Sequence, residues 1–334
     1  PMKQNRRLLN TNNWSPPKAP ANDGRTELTA ELAVVGRIAS GGHGPEDVCF
    51  DSDGAVVTGL RDGSIVAIDV GSGVRTLLGN TGGRPLGVQS CSDGSVLVAD
   101  HDRGLLRLRD GQVEVLVDEI EGERLTFASN VVVGSDGTIW FTTSTSRWDV
   151  DHHEGDILEH SCTGRLVQVS TDGTVTVLVH GLAFGNGLVL APDESHLLFA
   201  ETAGYRINRF WLTGPQAGED ELIRENLHGF PDNMSLGSDG LLWVAIVAPR
   251  NPLVDRLLSL PGFLRTISWN LPAFLRPKPA HVAWVMAYDL DGNPVHDLRL
   301  DDGSYGFVTA VAERDGTLVL SSIGEDELLI ARKP

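Results

Sequence analysis

The sequence predicts an all-β fold, a six-bladed β-propeller with a short helical insertion in the fifth blade. Six tight turns, most of them Asp-Gly turns, recur along the chain, and a run of β-forming residues follows each one. This pattern is typical of hairpins. A second pair of strand-like segments follows each turn, so each repeat contains four short strands. Six repeats of four strands indicate a six-bladed propeller.

The turn segments that define the repeats can be read directly in the sequence. They are FDSDGAVVTG (50–59), CSDGSVLVAD (91–100), GSDGTIWFTT (134–143), APDESHLLFAE (191–201), GSDGLLWVAI (237–246) and ERDGTLVLSS (313–322). The last repeat ends in a short remnant, DELLIARKP, so we expect ELAVVGRI (31–38) to complete that blade from the N-terminal side. The predicted organisation is an extended N-terminal arm (1–30) followed by one propeller domain (31–334).

Residues 247–281 interrupt the blade pattern. They contain five basic residues, Arg250, Arg256, Arg265, Arg276 and Lys278, in a chain whose net charge is −18. LVDRLLSL and FLRTISWNL have apolar residues at helical spacing with proline boundaries. We interpret the segment as a lid that forms an apolar wall over the ligand face. A packed structural insert and a membrane-surface anchor are the alternatives.

Composition limits the classes of partner. The net charge of −18 argues against nucleic acid, because phosphate binding needs a basic surface. The three cysteines, Cys49, Cys91 and Cys162, are widely spaced and predict reduced thiols. With neither an apolar signal core nor a membrane-spanning stretch in the sequence, we expect a cytoplasmic protein.

Polar residues recur at one register of the repeats. The position eight residues before the turn glycine, or seven before it in the third repeat, is polar in four repeats: Glu46, Asn130, Asn186 and Asp232. In the fourth repeat Glu194 takes the place of the turn glycine. The second and sixth repeats have Leu86 and Val308 at this point. Because the first strand of every blade lines the central channel, these four side chains should form a ring. Two carboxylates and two amides favour Ca²⁺, with Mg²⁺ as the alternative.

Residues about seven positions after each turn glycine should return to the same face. In the second repeat this residue is His101, and in the fourth it is Glu201. A histidine beside a metal ion is placed to deprotonate water, although a hydrogen-bonded scaffold role is equally compatible with the sequence. For Glu201 we favour pairing with Arg206 or Arg209.

The segment RWDVDHHEGDILEH (147–160) is rich in histidine and acidic residues. Its irregular spacing argues against a zinc site, and we interpret it as a solvated loop that borders the pocket.

Four segments resemble segments of the calcium-dependent propeller hydrolases: GPEDV, FASNV, FGNGL and GFPDNMSL. These include the gluconolactonase/senescence-marker group, the diisopropylfluorophosphatases and the paraoxonases. The resemblance implies that Glu46, Asn130, Asn186 and Asp232 hold a catalytic Ca²⁺, with Asn233 as a fifth ligand. It also implies a general-base role for His101. A second, structural calcium would use Asp47, but Val131 replaces the aspartate expected beside Asn130.

Over nearly its full length the chain also resembles strictosidine synthase-like proteins and the adipocyte plasma membrane-associated protein. Two segments carry this similarity: GRLVQVSTDGTVTVLVHGLAFGNG and AETAGYRINRFWL. True strictosidine synthases use a glutamate in the sixth blade, and Thr309 stands at that position here. The difference argues against synthase chemistry.

The sequence therefore predicts a Ca²⁺-dependent lactonase or esterase, with promiscuous phosphotriester hydrolysis as an extension. Either Asp232 attacks the substrate or His101 activates water. The residues expected to contact substrate are Glu201, Trp148, Phe184, Phe230 and Thr309. The expected partner is a small hydrophobic lactone or ester, and the sequence does not predict the oligomeric state. The alternative function is a binding or condensing propeller with a structural metal.

Overall fold

The computed structural model describes residues 8–20, 24–272 and 279–334. Its main strands form six sheets arranged as the blades of a propeller, which confirms the predicted fold. Two N-terminal strands, β1 (Thr29–Glu31) and β2 (Ala33–Ala39), join the fifth and sixth sheets.

The first three blades each contain four strands in consecutive order. Blade 1 consists of β3 (Val48–Phe50), β4 (Val56–Gly59), β5 (Ser64–Ile68) and β6 (Arg75–Asn80). Blade 2 consists of β7 (Pro85–Ser90), β8 (Val96–Asp100), β9 (Gly104–Arg109) and β10 (Gln112–Val117). A two-stranded ribbon, β11 (Glu119–Ile120) and β12 (Glu123–Arg124), leads to the next blade. Blade 3 consists of β13 (Ala128–Val133), β14 (Ile139–Thr143), β15 (Gly164–Val169) and β16 (Val175–Leu182).

The last three blades follow the same plan. Blade 4 consists of β17 (Gly185–Leu190), β18 (His196–Glu201), β19 (Arg206–Trp211) and β20 (Asp220–Arg224). Blade 5 consists of β21 (Gly229–Leu236), β22 (Leu242–Pro249), β23 (Ala283–Tyr288) and β24 (Pro294–Leu300), with β1 added in parallel to β24. Blade 6 consists of β25 (Val308–Arg314), β26 (Thr317–Ser322), β27 (Glu327–Arg332) and β2.

The pairing of β2 with β27 closes the ring. Ala33 pairs with Arg332 and Ala39 with Glu327 in an antiparallel register. The predicted closing strand, 31–38, is therefore confirmed to within two residues. Closure joins the N-terminal and C-terminal parts of the chain in one sheet, in which β2 is the outermost strand.

The turns between the first two strands of the blades form as their sequences predict. In blade 3, Gly137 has a φ of +91°, a conformation that glycine adopts without steric cost. The Asp136 carboxylate accepts a hydrogen bond of 2.8 Å from the Thr138 N–H, which stabilises the turn.

Apolar side chains fill the space between neighbouring blades. Between blades 2 and 3, for example, Leu97 and Leu105 pack with Phe141 and Val167, and all four are fully buried. Because both faces of each sheet are covered, the core is divided into layers between blades, and the central channel is lined by the inner strands.

Three short helices lie outside the blades: α1 (His153–Glu159), α2 (Pro252–Leu258) and α3 (Gly262–Trp269). α2 and α3 form the predicted lid insertion between β22 and β23 of blade 5. The lid residues Arg276 and Lys278 lie outside the described residues. None of the helices in the described ranges is long and apolar enough to cross a bilayer.

Candidate metal centre

Polar side chains in or just before four inner strands converge on the propeller axis. Glu46 lies two residues before β3, and the other polar side chains lie within β13, β17 and β21. All are buried, and we call this set the hub: Glu46, Asn130, Asn186, Asp232 and Asn233. The repeat register predicted from the turn glycines therefore brings the same side chains together in space.

Hydrogen bonds connect the hub residues directly. The Asn186 amide nitrogen donates to the Asp232 carboxylate at 2.5 Å. The Asn233 amide nitrogen donates to Glu46 Oε2 at 3.1 Å, and its Oδ1 accepts from the Asn130 amide nitrogen at 2.9 Å. The five side chains, from blades 1, 3, 4 and 5, thus form two hydrogen-bonded groups. The Thr142 hydroxyl joins their strands, because it accepts from the Asn130 N–H at 3.2 Å and donates to the Asn186 carbonyl at 2.6 Å.

The carboxyl groups of the hub are held in an unfavourable environment for negative charge. Burial raises the pKa of Asp232 to about 7, and the Asp47 carboxylate adds to the shift. Burial also raises the pKa of Glu46 well above its ordinary value, with further contributions from Asp232 and Asp47. Within the described residues neither carboxylate has a salt-bridge partner, so a bound cation would relieve both effects.

The chemistry of these side chains fits a hard divalent cation. Their donors are carboxylate and amide oxygens, which Ca²⁺ prefers over nitrogen or sulfur. Across the described residues, no three His, Cys, Asp or Glu side chains are placed to hold a metal by themselves. The amides therefore have to complete the ligand set. Each can offer either its oxygen or its nitrogen to the hub, and Asn186 presents its nitrogen to Asp232 here.

A cavity of about 400 Å³ lies directly above the hub, and we call it the hub cavity. Glu46, Asn186 and Asp232 line it, together with Ser129 and Thr202. Its walls are mainly apolar, with side chains from the blade loops, from α1 and from the lid. The hub therefore forms the polar floor of an apolar pocket, an arrangement common to small-molecule sites.

Three of the five residues expected to contact substrate line the hub cavity: Phe184, Phe230 and Thr309. The Thr309 hydroxyl donates to the backbone oxygen of Glu46 at 2.6 Å, which links blade 6 to the hub.

Glu201 and Trp148 are outside that lining. The Glu201 carboxylate forms a salt bridge with Arg206 at 2.7 Å, as expected, and also accepts from the Asn208 amide at 2.8 Å. The Trp148 indole nitrogen donates to Glu159 at 2.9 Å, and its ring packs edge-to-face on Trp269. Both residues support elements around the cavity, so the structure does not favour direct contact with substrate.

His101 also lies behind the cavity wall. Its Nδ1 is 2.9 Å from an Asp102 carboxylate oxygen, and its Nε2 accepts from the Val150 N–H at 3.1 Å. With both ring nitrogens engaged, this geometry does not favour the general-base hypothesis for His101. That role stays a prediction of the resemblance.

Asp47 lies on the opposite side of the hub. Its carboxylate accepts from the Val48 and Val88 N–H groups at 2.8 and 2.9 Å, and it lines a second cavity of about 550 Å³ at the other mouth of the channel. Burial raises the pKa of Asp47 to about 7. Val131 lines the same cavity without offering an oxygen side chain, so the structure adds no ligand to the doubtful second calcium site.

The prediction of a solvated loop over 147–160 is wrong for its second half. Residues 153–159 form α1, and Asp156 and Glu159 are fully buried. The Glu159 carboxylate is held by Arg147 at 2.8 Å and by the Asn10 N–H at 2.8 Å. These partners satisfy the buried Glu159 carboxylate, and other residues of α1 line the hub cavity.

The lid residues of α2 and α3 line the hub cavity from the outer side. Val254, Leu257 and Trp269 contribute apolar surface. Of the described basic residues in the lid, Arg250 and Arg265 are buried and only Arg256 is exposed. Arg250 and Arg265 therefore cannot contact lipid head groups, whereas Leu253, Phe263 and Ile267 of the same two helices are exposed. The cavity-facing residues support the lid interpretation, and the membrane-surface anchor stays a prediction.

The N-terminal arm, described over residues 8–20, crosses α1 and α3. Arg265 donates to the Asn12 carbonyl at 2.9 Å, and the Asn12 N–H donates to the Glu159 carbonyl at 2.8 Å. Trp14 stacks on His160 with ring centroids 4.0 Å apart. The arm therefore fastens the two elements that cover the cavity.

Several cavity residues were not predicted from the sequence. Phe127 and Phe307 stand three and two residues before Asn130 and Thr309, the same kind of offset that Phe184 and Phe230 have. This repeated offset could have identified Phe127 and Phe307 from the sequence. Trp269 and Ile157, in contrast, reach the cavity only through tertiary packing.

Comparison with family models identifies two matches. Residues 60–253 match the SMP-30/Gluconolactonase/LRE-like region, and residues 30–68 match the N-terminal model of strictosidine synthase-like proteins. The first match covers more than half of the chain.

Curated relatives cover most of the sequence. Protein STRICTOSIDINE SYNTHASE-LIKE 6 of Arabidopsis thaliana is 35% identical over 283 residues, which is 81% of this chain and 74% of the relative. The adipocyte plasma membrane-associated protein of Homo sapiens is 31% identical over 304 residues, 84% of this chain and 73% of the relative.

Solved structures share the fold at low sequence identity. A gluconolactonase from Xanthomonas campestris aligns with a TM-score of 0.65 at 16% identity and covers 91% of both chains. The calcium-binding protein regucalcin from Agrobacterium tumefaciens aligns with a TM-score of 0.64 at 17% identity, covering 92% of this chain and 95% of regucalcin. These likenesses concern the fold alone.

Proposed function

The chain belongs to the SMP-30/gluconolactonase/LRE-like family and is homologous to strictosidine synthase-like proteins, and from this premise we propose that it is a Ca²⁺-dependent hydrolase of lactones or esters. The hub residues would hold the ion: Glu46, Asn130, Asn186, Asp232 and Asn233. The hub cavity would hold the substrate. The proposed substrate is a small hydrophobic lactone or ester, and phosphotriester hydrolysis would be a side activity.

One observation carries this proposal. Two buried carboxylates, with no salt-bridge partner among the described residues, lie on the floor of an apolar cavity beside amide side chains. Two desolvated carboxylates near each other are costly, and proteins keep such groups mainly at functional sites. A purely structural propeller core would be more stable with apolar side chains at these positions.

When bound, Ca²⁺ would supply Lewis-acid polarisation of the carbonyl oxygen of the substrate. Asp232 lines the cavity floor, and we assign it the nucleophilic role in preference to water activation by His101. Its carboxylate oxygen would form a bond to the carbonyl carbon as the ester C–O bond breaks, and the leaving alkoxide would take a proton from water to become the alcohol. The hydroxide formed would then cleave the acyl-aspartate, release the acid and regenerate the Asp232 carboxylate.

The surrounding residues orient the floor and exclude water. The Thr202 hydroxyl accepts from the Asn186 amide nitrogen at 3.1 Å and donates to the Pro231 carbonyl at 2.7 Å. These bonds fix Asn186 and the strand segment before Asp232. The apolar wall from α1 and the lid lowers the local dielectric, which strengthens electrostatic interactions at the floor.

We expect activity to depend on calcium. Purified protein treated with EDTA should lose at least about 99% of its hydrolysis of lactones and aryl esters, because a bound cation stabilises the charge that develops in the transition state by several kcal/mol. Readdition of Ca²⁺ should restore it. The measurement is a hydrolysis panel of aliphatic lactones, aryl esters and phosphotriesters with and without chelator.

Mg²⁺ readdition and a chelator already saturated with Ca²⁺ are the controls in this panel. Hydrolysis that persists unchanged after chelation would reject the calcium mechanism. Calcium binding without hydrolysis of any class would favour the alternative, a binding or condensing propeller with a structural metal.

The cellular location is part of the same proposal. All three cysteines are free thiols, which suits a reducing compartment such as the cytoplasm. We propose no nucleic-acid partner for this acidic chain.

A further inference from the structure

Three phenylalanines above the hub have a backbone conformation that favours glycine. Phe127, Phe184 and Phe307 have φ values of +55°, +61° and +53°. Each directly precedes the inner strand of its blade. Bulky residues rarely adopt this left-handed region, because the side chain crowds the backbone.

In blade 1, a glycine occupies the corresponding position before the inner strand. Gly44 stands two residues before Glu46 and has a φ of +67°. Phe184 stands two residues before Asn186, and Phe307 two residues before Thr309. The backbone geometry therefore suits glycine in these blades, and a phenyl ring is present in spite of the strain. Strain retained next to a cavity indicates a functional reason for the side chain.

The three rings and that of Phe230 all line the hub cavity. We call Phe127, Phe184, Phe230 and Phe307 the phenyl collar. They come from blades 3, 4, 5 and 6, so the collar surrounds the cavity on the sides of the Asn130, Asn186, Asp232 and Thr309 strands.

A second aromatic ring fixes each ring of the collar. The edge-to-face pairs, with centroid distances, are His101–Phe127 (4.9 Å), Phe127–Phe184 (5.4 Å), Tyr205–Phe230 (4.9 Å) and His281–Phe307 (5.1 Å). Such pairs stabilise one ring orientation. Since His101 is itself held by Asp102 and Val150, it acts here as a positioning residue for Phe127.

The charged residues that line the cavity also favour an uncharged substrate. Among the lining residues that the structure describes none is Lys or Arg, whereas Glu46, Glu154 and Asp232 are acidic. Apart from an ion bound at the floor, an anionic substrate would meet no lysine or arginine among these lining residues, and a polyol would meet phenyl rings above the floor.

We propose that Phe127, Phe184 and Phe307 are specificity-determining residues that select an uncharged substrate with a planar ring next to its reacting carbonyl. The ring would lie within the phenyl collar and the carbonyl would point to the hub. This inference rests on the proposed function for its reaction, but ring binding can be measured without turnover.

The test uses 2-acetonaphthone, an uncharged aryl ketone that has the ring and the carbonyl but no leaving group. Its affinity for the Ca²⁺-loaded full chain is measured by calorimetry for wild type, Phe184→Ala and Phe184→Gly. Both variants should bind roughly tenfold more weakly, because each lacks the ring. The Gly variant should nevertheless melt about 2 °C higher than the Ala variant, since only alanine keeps the strain.

Asp110, an exposed turn residue with a φ of +50°, provides the matched control. Asp110→Gly should also melt above Asp110→Ala, with no change in affinity for the ketone. The Phe307 pair of variants serves as the second measurement if a Phe184 variant does not fold.

Two results would overturn the collar: unchanged affinity in both Phe184 variants, or affinity that recovers in the more stable Gly variant. The second result would show that the ring acts through stability alone. If ketone binding depends on the phenyl collar but the protein has no hydrolase activity, the proposed function is rejected. The ring-binding role of the collar would still be supported.

Discussion

Replacing Asp232 with Asn is expected to lower the turnover of an aryl ester by at least about 10³-fold. Loss of an attacking carboxylate removes the nucleophilic step, and losses of this size or greater are typical of nucleophile substitutions. Calcium affinity should fall only roughly tenfold, because the amide oxygen still serves as a ligand. The measurements are steady-state kinetics at saturating Ca²⁺ and calcium titration of the same preparation.

Asp297→Asn is the matched control, since Asp297 is a fully buried aspartate on an outer strand of the same blade. It accepts from the Trp284 indole at 2.7 Å and lies away from the hub cavity lining. This variant should melt at a lower temperature and keep its turnover. If Asp232→Asn loses turnover and calcium affinity by the same factor, Asp232 is a ligand only and the water mechanism is favoured.

The stability of the chelated protein is expected to decrease as the pH rises from 6.5 to 8.5. Burial raises the pKa of Asp47 and of Asp232 to about 7, above the 3.8 of an exposed aspartate. The folded chain therefore binds more protons than the unfolded chain until about pH 7, and the free energy of unfolding falls as these protons are lost. We expect the melting temperature to be about 3 °C lower at pH 8.5 than at pH 6.5.

Calcium should reverse this dependence. Because the ion binds deprotonated carboxylates, it competes with protons and should stabilise the fold most at pH 8.5, by about 2.7 kcal/mol at 100 times its dissociation constant. The pKa of the buried His160 is lowered to about 4, and that of His196 and His296 is also lowered, so these histidines add an opposite change near pH 6.5. That change cancels when the calcium-loaded and chelated proteins are compared at the same pH. Equal stabilisation by calcium at both pH values would contradict protonation of the hub.

The hub could be predicted from the sequence because its residues stand at a fixed distance from the turn glycines. A propeller repeats one geometry, so a constant offset along the chain becomes one level along the axis. Glu46, Asn130, Asn186 and Asp232 all obey this rule, and the closing strand was predictable from the short last repeat.

The surroundings of the hub depend on contacts between distant segments, which local patterns do not encode. α1 is buried although its sequence is acidic, because Arg147 and the N-terminal arm satisfy Glu159. His101 reaches the correct level of the fold, but its hydrogen bonds to Asp102 and Val150 turn its ring toward Phe127. Register therefore predicts where a side chain lies along the axis, whereas its orientation requires the tertiary structure.

The central claim is that one cation joins the hub residues of different blades. Anomalous diffraction from crystals grown with Ca²⁺ tests it most directly. We predict a single strong peak on the propeller axis, about 2.3–2.6 Å from oxygens of Glu46, Asn130, Asn186 and Asp232, with the Asn186 oxygen in place of its nitrogen facing the ion. A map without a peak at the hub, in which Asn186 still donates to Asp232, would contradict the account.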